Sequence, residues 1–319
     1  MKSKFGHKDE KLLKEVAKAM ATIGEGSGLN GVAIPEIDLP FQKLIVPKAP
    51  WLSYLEGNSV ATDTKSWRIE YYLKNRKTRS EFINQTDNIP DFTESEFTEQ
   101  FAEMKLVVYP VEIGDFVTKS DTRIDIAQDE IDDGLLDIAG TKNNTLFNGT
   151  GSTSTKDFEG FINQVTTNVH DANGDPLTEQ MIDEAAQAVI DSNGMINHLV
   201  TTPQVHSLLK KLLYPQRRTV NTTEMVLGYN VMSYMTPSGI DVPIVSDPAF
   251  GADGEHRIGF VDNSSLRIKT LLPPAVVDLA KLKLSDSKVL VNATTFYNRA
   301  EYQNAILEGI DIEAGVEFL

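Results

Sequence analysis

Residues 121–162 read DTRIDIAQDEIDDGLLDIAGTKNNTLFNGTGSTSTKDFEGFI, and the first part of this stretch has the pattern of a long helix. Its apolar residues recur mostly at the helical spacing of three or four: Ile124, Ala127, Ile131, Leu135, Ile138 and Leu146. Ser120 and Asp121 are both good N-caps, and Gly149 suits a left-handed C-cap. The stretch therefore predicts one helix over 121–147 with an acidic outer face, followed by a Gly/Ser/Thr loop.

The first 60 residues predict a short helix and an extended arm. Residues 9–22 are amphipathic, and the glycine-rich stretch 24–31 interrupts them. Pro35, Pro40, Pro47 and Pro50 then recur through an apolar stretch, which favours extended chain over helix. We expect this region to have little capacity to form a core by itself.

Two stretches with strand character, 66–74 and 103–118, flank a long polar loop. Its first limb is basic and its second limb, Asp87 to Glu103, carries acids and no base. The limbs either neutralise each other across a hairpin, or the loop lies over a neighbouring subunit and selects its register by charge. The candidate contact residues between subunits are Lys74, Arg76, Lys77 and Arg79 on the basic limb, and Asp91, Glu94, Glu96 and Glu99 on the acidic limb.

After residue 163 the pattern changes to alternating helices and strands. One helix begins near Thr178 and stops at Asn193-Gly194, and a second begins at Thr202-Pro203 after a buried strand over 196–200. Further strands are predicted at 226–235, 240–246, 257–262 and 266–271, and the segment 288–305 also has β character. This half of the chain is predicted to be an α/β region.

Composition excludes several classes of protein. The formal net charge is -16, which disfavours wrapping nucleic acid or adhering to anionic lipid. There is no cysteine, so disulfides, thiolate catalysis and cysteine-bound zinc are excluded. No stretch has the apolar length of a membrane span, and the N-terminus lacks the pattern of a signal peptide.

Motifs that resemble sites have simpler structural explanations. The pattern Gly26-Ser-Gly28-Leu-Asn-Gly31 precedes extended chain and not a helix, so a hinge is favoured over a nucleotide site. The stretch 171–175 lacks the spacing of a calcium loop and predicts a tight Asn-Gly turn. Histidines occur at His7, His170, His198, His206 and His256 without a helical ligand pair. We expect no catalytic, cofactor-binding or metal-binding residues, although a shared role for His198 and His206 and an acid pair stay open.

The order of these parts resembles the major capsid protein of tailed bacteriophages, which has the Hong Kong 97 fold. The resemblance rests on Leu146-Phe-Asn-Gly-Thr-Gly151, Phe158-Glu-Gly-Phe-Ile162, Leu199-Val-Thr-Thr-Pro203 and Pro237-Ser-Gly-Ile-Asp-Val-Pro-Ile-Val-Ser-Asp-Pro248. It covers about residues 30 to 305, and the order of the motifs carries it more than any single motif.

The resemblance implies an α+β fold with five parts. They are an N-terminal helix and extended arm over 1–60, an E-loop with flanking strands over 61–119, and a P-domain spine helix with its following loop over 120–164. An A-domain over 165–285 and C-terminal P-domain strands over 286–319 complete the chain. Gly114, Gly134, Gly140 and Gly149 are the candidate hinges, and we expect the spine helix to bend at Gly134 and Gly140 during maturation.

The function implied is that of a head protein, not an enzyme. Its copies would assemble in the host cytoplasm into hexamers and pentamers of an icosahedral virion shell, which encloses double-stranded DNA without sequence-specific binding and without a membrane. Scaffold, portal and decoration proteins are the further partners implied, and no cofactor is expected. Two alternatives stay open: an encapsulin-like nanocompartment shell, and a soluble α/β hydrolase or binding protein.

Overall fold

The structure is a computed structural model that describes residues 49–58, 60–75, 96–114, 126–213, 232–279, 285–313 and 315. All of them lie within one compact unit, Pro47–Leu319. The helices of the described residues are α1 Pro50–Gly57, α2 Ile126–Asn148, α3 Phe161–Gln164, α4 Glu179–Asp191 and α5 Pro203–Leu212, with 3-10 turns at Pro248–Gly251 and Glu301–Gln303. The strands are β1 Ala61–Asp63, β2 Arg68–Asn75, β3 Glu96–Glu103, β4 Lys105–Gly114, β5 Val169–Asp171, β6 His198–Thr201, β7 Met232–Met235, β8 Asp241–Ser246, β9 Ile258–Val261, β10 Leu266–Asp278, β11 Ser285–Asn298 and β12 Ala305–Glu308.

These strands form three sheets. A four-stranded sheet has the order β1-β10-β11-β4, in which β10, β11 and β4 are antiparallel and β1 is parallel to β10. A six-stranded sheet has the order β5-β12-β9-β6-β8-β7. The strands β2 and β3 form a separate antiparallel hairpin. Helices together with mostly antiparallel sheets confirm the predicted α+β class.

The six-stranded sheet together with α4 and α5 forms what we call the α/β lobe, and the sheet lies between these two helices on one face and α1 with the end of α2 on the other. Because side chains alternate along a strand, Leu199 packs with α4 and α5 on one face, and Val200 packs with α1 and the end of α2 on the other. Both helices begin as predicted, since Thr178 caps the Met181 N–H and Thr202 caps the Val205 N–H.

Helix α2 lies against the four-stranded sheet. Ile138 packs with Val111, Ile113 and Leu290, and the Tyr109 ring lies so close to Gly134 that a Cβ there would meet it at 2.6 Å. The predicted helix over 121–147 is confirmed over Ile126–Asn148; positions 121–125 lie outside the described residues. The inward placement of Leu135 is wrong, because this side chain is 39% exposed and Gly134 faces the sheet instead.

The C-cap interpretation of Gly149 is also wrong. The described glycines with a left-handed φ include Gly151, at 66°, but not Gly149. Glycine is required at 149 by crowding, since a Cβ would lie 2.1 Å from the carbonyl oxygen of Phe158. The Gly160 N–H donates to the Gly149 carbonyl at 2.7 Å, which holds the returning chain against the end of α2.

Two further expectations differ from the structure. Residues 50–57 are not extended arm but helix α1, in which Pro50 occupies the first turn and Trp51 and Leu55 are fully buried. The described end of the acidic limb, Glu96–Glu103, is itself a strand: β3 pairs with β2, while β4 pairs with β11. The predicted helix over 9–22 and the breaker over 24–31 lie outside the described residues.

Candidate assembly interface

The hairpin of β2 and β3 has one face fixed to its own subunit. Directly opposite residues share a face of a hairpin, and Ile69–Ala102 and Tyr71–Gln100 are such pairs. Tyr71 stacks on Tyr297 of β11 with 4.6 Å between ring centroids, and Ala102 is buried. Burial raises the pKa of Tyr71, so the phenol stays neutral in this contact. The inner face therefore anchors the base of the hairpin to the four-stranded sheet.

The opposite face of the hairpin exposes aromatic rings to solvent. The register places Arg68–Glu103, Glu70–Phe101, Tyr72–Glu99 and Lys74–Phe97 on this side, which we call the outer hairpin face. Phe97 is 61% and Tyr72 55% exposed. The guanidinium of Arg68 lies 3.8 Å from the centre of the Phe101 ring. Clustered exposed aromatics rimmed by charge are typical of protein–protein contact sites.

A second apolar surface lies on the side of the four-stranded sheet that faces away from α2. The register aligns three cross-strand rows on this side: Leu106–Ala293–Leu272, Val108–Val291–Ala275 and Pro110–Val289–Val277. We call these nine residues the apolar sheet face. Leu106 is 60% exposed, and Val108, Leu272 and Val277 are exposed as well. Exposed aliphatic side chains grouped in this way favour contact with another protein over contact with water.

Of the candidate contact residues predicted from the sequence, Glu99 and Lys74 occupy register positions of the outer hairpin face. Glu99 is exposed there opposite Tyr72, and Lys74 is the strand partner of Phe97. Glu96 ends the described part of β3 as the partner of Asn75. Arg76, Lys77, Arg79, Asp91 and Glu94 lie outside the described residues. The aromatic residues of this face were not predicted; their alternation with acids over 96–103 is the signal that indicates them.

The candidate hinges have different surroundings. Gly149 and Gly134 are held in close packing, as described above, whereas a Cβ on Gly114 at the end of β4 would meet no described atom within 4 Å. Gly140 lies within α2 and is partly buried. Their roles as hinges stay predictions.

The motifs that resembled small-molecule sites have local explanations. Asn173 and Gly174 both have positive φ, at 52° and 79°, which confirms the tight Asn-Gly turn. His198 is fully buried and bonded to Trp51, while His206 lies on α5. Within the described ranges, no group of three or more His, Asp or Glu side chains could hold a metal ion. No helix in that part of the chain is long and apolar enough to cross a membrane.

The comparisons with known proteins agree with this picture of an assembling subunit. The model of the SU10 major capsid protein family matches residues 41–311. No curated protein matches the chain in sequence. In structure, the chain is similar to the capsid subunit of cyanophage A-1(L), with a TM-score of 0.68 and 13% identity over 88% of this chain and 97% of that one.

Two other solved structures share the fold. The SrpI encapsulin of Synechococcus elongatus gives a TM-score of 0.62 at 12% identity, covering 95% of this chain and 98% of that one. The capsid subunit of a native GTA particle gives 0.61 at 10% identity, covering 90% and 99%. At such identities the likeness shows the fold, and the sequence family shows the kind of protein.

Proposed function

The chain belongs to the SU10 major capsid protein family, and we propose that its copies assemble through the outer hairpin face into the hexamers and pentamers of an icosahedral shell around double-stranded DNA. It is a structural protein of the bacteriophage virion. The family leaves the soluble hydrolase alternative without support. Assembly in the host cytoplasm, with scaffold, portal and decoration proteins as partners, completes the proposal.

The exposure of the outer hairpin face carries this proposal. The rings of Tyr72, Phe97 and Phe101 project from a hairpin whose other face is already packed. Each aromatic side chain buries roughly 150–250 Å² in a contact, at about 25 cal/mol per Å². Covering the exposed parts of the three rings would contribute roughly 6–10 kcal/mol per contact before the entropy of association is subtracted. One such contact is weak, but every subunit in a closed shell makes several.

The partner surface that fits is the apolar sheet face of a neighbouring copy. It offers aliphatic side chains to aromatic rings, and a hairpin that leaves its own sheet can reach a neighbour. In this proposal the hairpin is the E-loop, α2 is the spine helix of the P-domain, and most of 165–285 is the A-domain. The arm and strand boundaries, 1–60, 61–119, 120–164 and 286–319, are proposed with them.

The test replaces two rings of the outer hairpin face. We expect Phe97→Ser with Phe101→Ser to abolish shells in negative-stain microscopy, because the contact loses most of its apolar area. Circular dichroism should be unchanged, since neither ring packs in the core. Met195→Ser is the matched control, because Met195 is an exposed apolar residue of the α/β lobe. Normal shell yield from the double variant would refute the role of the hairpin.

The encapsulin-like shell is the alternative that the SrpI similarity favours. The two kinds of shell differ in their contents. Particles purified from the native source should contain double-stranded DNA if the chain is a phage head protein, and a cargo protein without genomic DNA if it is a nanocompartment. Nuclease-protected DNA of one defined length would decide for the head protein.

A further inference from the structure

Helix α1 is capped by side chains from two other elements. The N-cap Ala49 provides no side-chain hydrogen bond. Instead the Trp51 N–H donates to Asp247 Oδ2 at 3.0 Å, and the Leu52 N–H donates to Asn143 Oδ1 at 3.1 Å. Asn143 Nδ2 also donates to Asp247 Oδ2, at 2.8 Å. Free N–H groups at a helix start need such partners, so α1 is stable only where α2 and the end of β8 meet.

The side chain of Trp51 fixes the same helix from within the core. It is fully buried and stacks on Phe147 of α2 with 4.2 Å between ring centroids. Phe161 and Phe296 pack edge-on against it. Its Nε1–H donates to His198 Nε2 of β6 at 2.8 Å. One residue of α1 thus joins α2, the four-stranded sheet and the α/β lobe.

The contact with Trp51 requires a neutral His198. Because Nε2 accepts a hydrogen bond, the ring proton must lie on Nδ1. His198 Nδ1 and Asn263 Oδ1 are both buried, and neither has a hydrogen-bond partner among the described residues. A protonated ring would turn an N–H toward the Trp51 N–H, and two donors cannot bond.

Among the described residues, titratable groups from several elements lie around this contact. Tyr54 of α1 lies 4.4 Å from the His198 ring between centroids, and burial raises its pKa, so it stays neutral. Asp247 bonds to the backbone of Trp51, and Asp262 beside Asn263 bonds to the N–H groups of Met195 and Ser264. At the far end of α1, Glu56 pairs with Lys142 at 3.1 Å.

We propose that the Trp51–His198 contact is an acid-released clasp, which holds α1 on the α/β lobe while the imidazole is neutral and releases it when the ring takes a proton. This goes beyond shell formation, because it assigns a conformational switch inside one subunit.

The direction of the switch follows from proton linkage. Burial lowers the pKa of His198 to about 3, and the neighbouring Asn263 side chain opposes this shift. A released, solvated imidazole has a pKa near 6.5, so the open form binds more protons between these values. Each pH unit lost in that window shifts the equilibrium about tenfold toward release. Asp247 acts in the other direction, since burial raises its pKa and acid favours its closed, protonated form.

Because the chain has two tryptophans, release of the clasp can be followed by tryptophan fluorescence. Trp67 is 66% exposed, so Trp67→Phe leaves Trp51 as the only tryptophan with little disturbance. In this full-length variant we expect acrylamide quenching of Trp51 fluorescence to rise several-fold between pH 6.5 and 3.5 while far-UV circular dichroism stays constant. Adding His198→Gln should abolish the rise, because glutamine can accept the Trp51 bond and does not titrate.

Three outcomes would overturn the clasp. They are no rise in quenching down to pH 3.5, an equal rise with His198→Gln, and a rise that coincides with loss of the circular dichroism signal. If His198→Gln does not fold, Asn263→Ala replaces it: loss of the polar side chain that favours the charged ring should move the acid response to lower pH, and an unmoved midpoint counts against the proposal. Shell formation at neutral pH is scored separately by microscopy, so failure of the clasp leaves the proposed function intact.

Discussion

Gly149 lies where the end of α2 meets the returning chain, and its lack of a side chain is a packing requirement. A Cβ would lie 2.1 Å from the Phe158 carbonyl oxygen and 2.7 Å from that of Thr145. Both neighbours are backbone atoms that cannot rotate away. At the residue scale, the motif Asn-Gly-Thr-Gly followed by Phe-Glu-Gly thus marks a place where two chain segments pack closely against each other.

A prediction at this scale is that Gly149→Ala destabilises the subunit. Overpacking of this kind costs roughly 1–3 kcal/mol, because the α2 terminus or the 158–160 segment must shift. Chemical denaturation of the unassembled chain measures the loss. Gly114→Ala is the control, as no described atom lies within 4 Å of the added methyl group. Equal stability of the two variants would disprove the crowding at 149.

At the scale of elements, the two faces of the β2–β3 hairpin have different roles: one anchors the hairpin to its own subunit, and the other is exposed. Its inner face is fixed by Tyr71 on Tyr297, and its outer face is aromatic and acidic. The basic limb beyond β2 supplies the opposite charge. This charge split has two interpretations, neutralisation within the hairpin and contact with a neighbour. They predict different shell yields when the charges of the basic limb are reversed.

Reversing the basic limb tests the contact between subunits. We expect Arg76→Glu, Lys77→Glu and Arg79→Glu together to block assembly and leave the fold intact, because like charges would then meet where complementary charge selects the register. Sedimentation gives the shell yield and circular dichroism the fold. Reversing three exposed lysines elsewhere, Lys156, Lys210 and Lys211, should leave assembly intact. Equal yields from the two triple variants would argue for neutralisation within the hairpin.

The long helix also acts at this scale. Glycine within a helix costs about 1 kcal/mol relative to alanine, which first suggested bending at Gly134 and Gly140. The Tyr109 ring gives a separate reason for glycine at position 134, since it leaves no space for a side chain there. Gly140 therefore remains the stronger candidate for bending during maturation, and two shell states with equally straight helices would remove it.

At the scale of the whole molecule, assembly should bring the outer hairpin face of one copy onto the apolar sheet face of the next. The absence of native cysteine makes this measurable. We expect Phe97→Cys combined with Val108→Cys to give ladders of disulfide-linked chains from assembled particles under oxidising conditions, because a head-to-tail contact links each copy to two others. Non-reducing electrophoresis resolves the ladders.

The single-cysteine variants are the controls for this cross-link. Each offers one thiol per chain and can form dimers at most. Pairing of Phe97→Cys with Met195→Cys, which places the second thiol on the α/β lobe, should give no ladder. A ladder from this pair, or none from the first, would show that the hairpin docks elsewhere.

The sequence by itself determined the elements whose stabilising contacts are local. The helical character of α2, the Thr178 and Thr202 caps and the Asn173-Gly174 turn follow from hydrogen bonds and periodicities that span a few residues. The order of these elements then indicated the capsid fold. Local patterns could not show that residues 50–57 form a helix, because its caps lie 196 and 91 positions away in Asp247 and Asn143.

Tertiary structure alone decided which surfaces stay exposed. The pairing of β2 with β3 sets the aromatic face, and the position of Tyr109 turns Gly134 inward and Leu135 outward. Strand register and helix rotation depend on the distant partner as much as on the segment itself, since either face of a pattern can be buried. The sequence therefore predicted the candidate interface only in part. Its charged residues were recognisable as a run, whereas the exposed face formed by its aromatic residues became evident only from their pairing with the opposite strand.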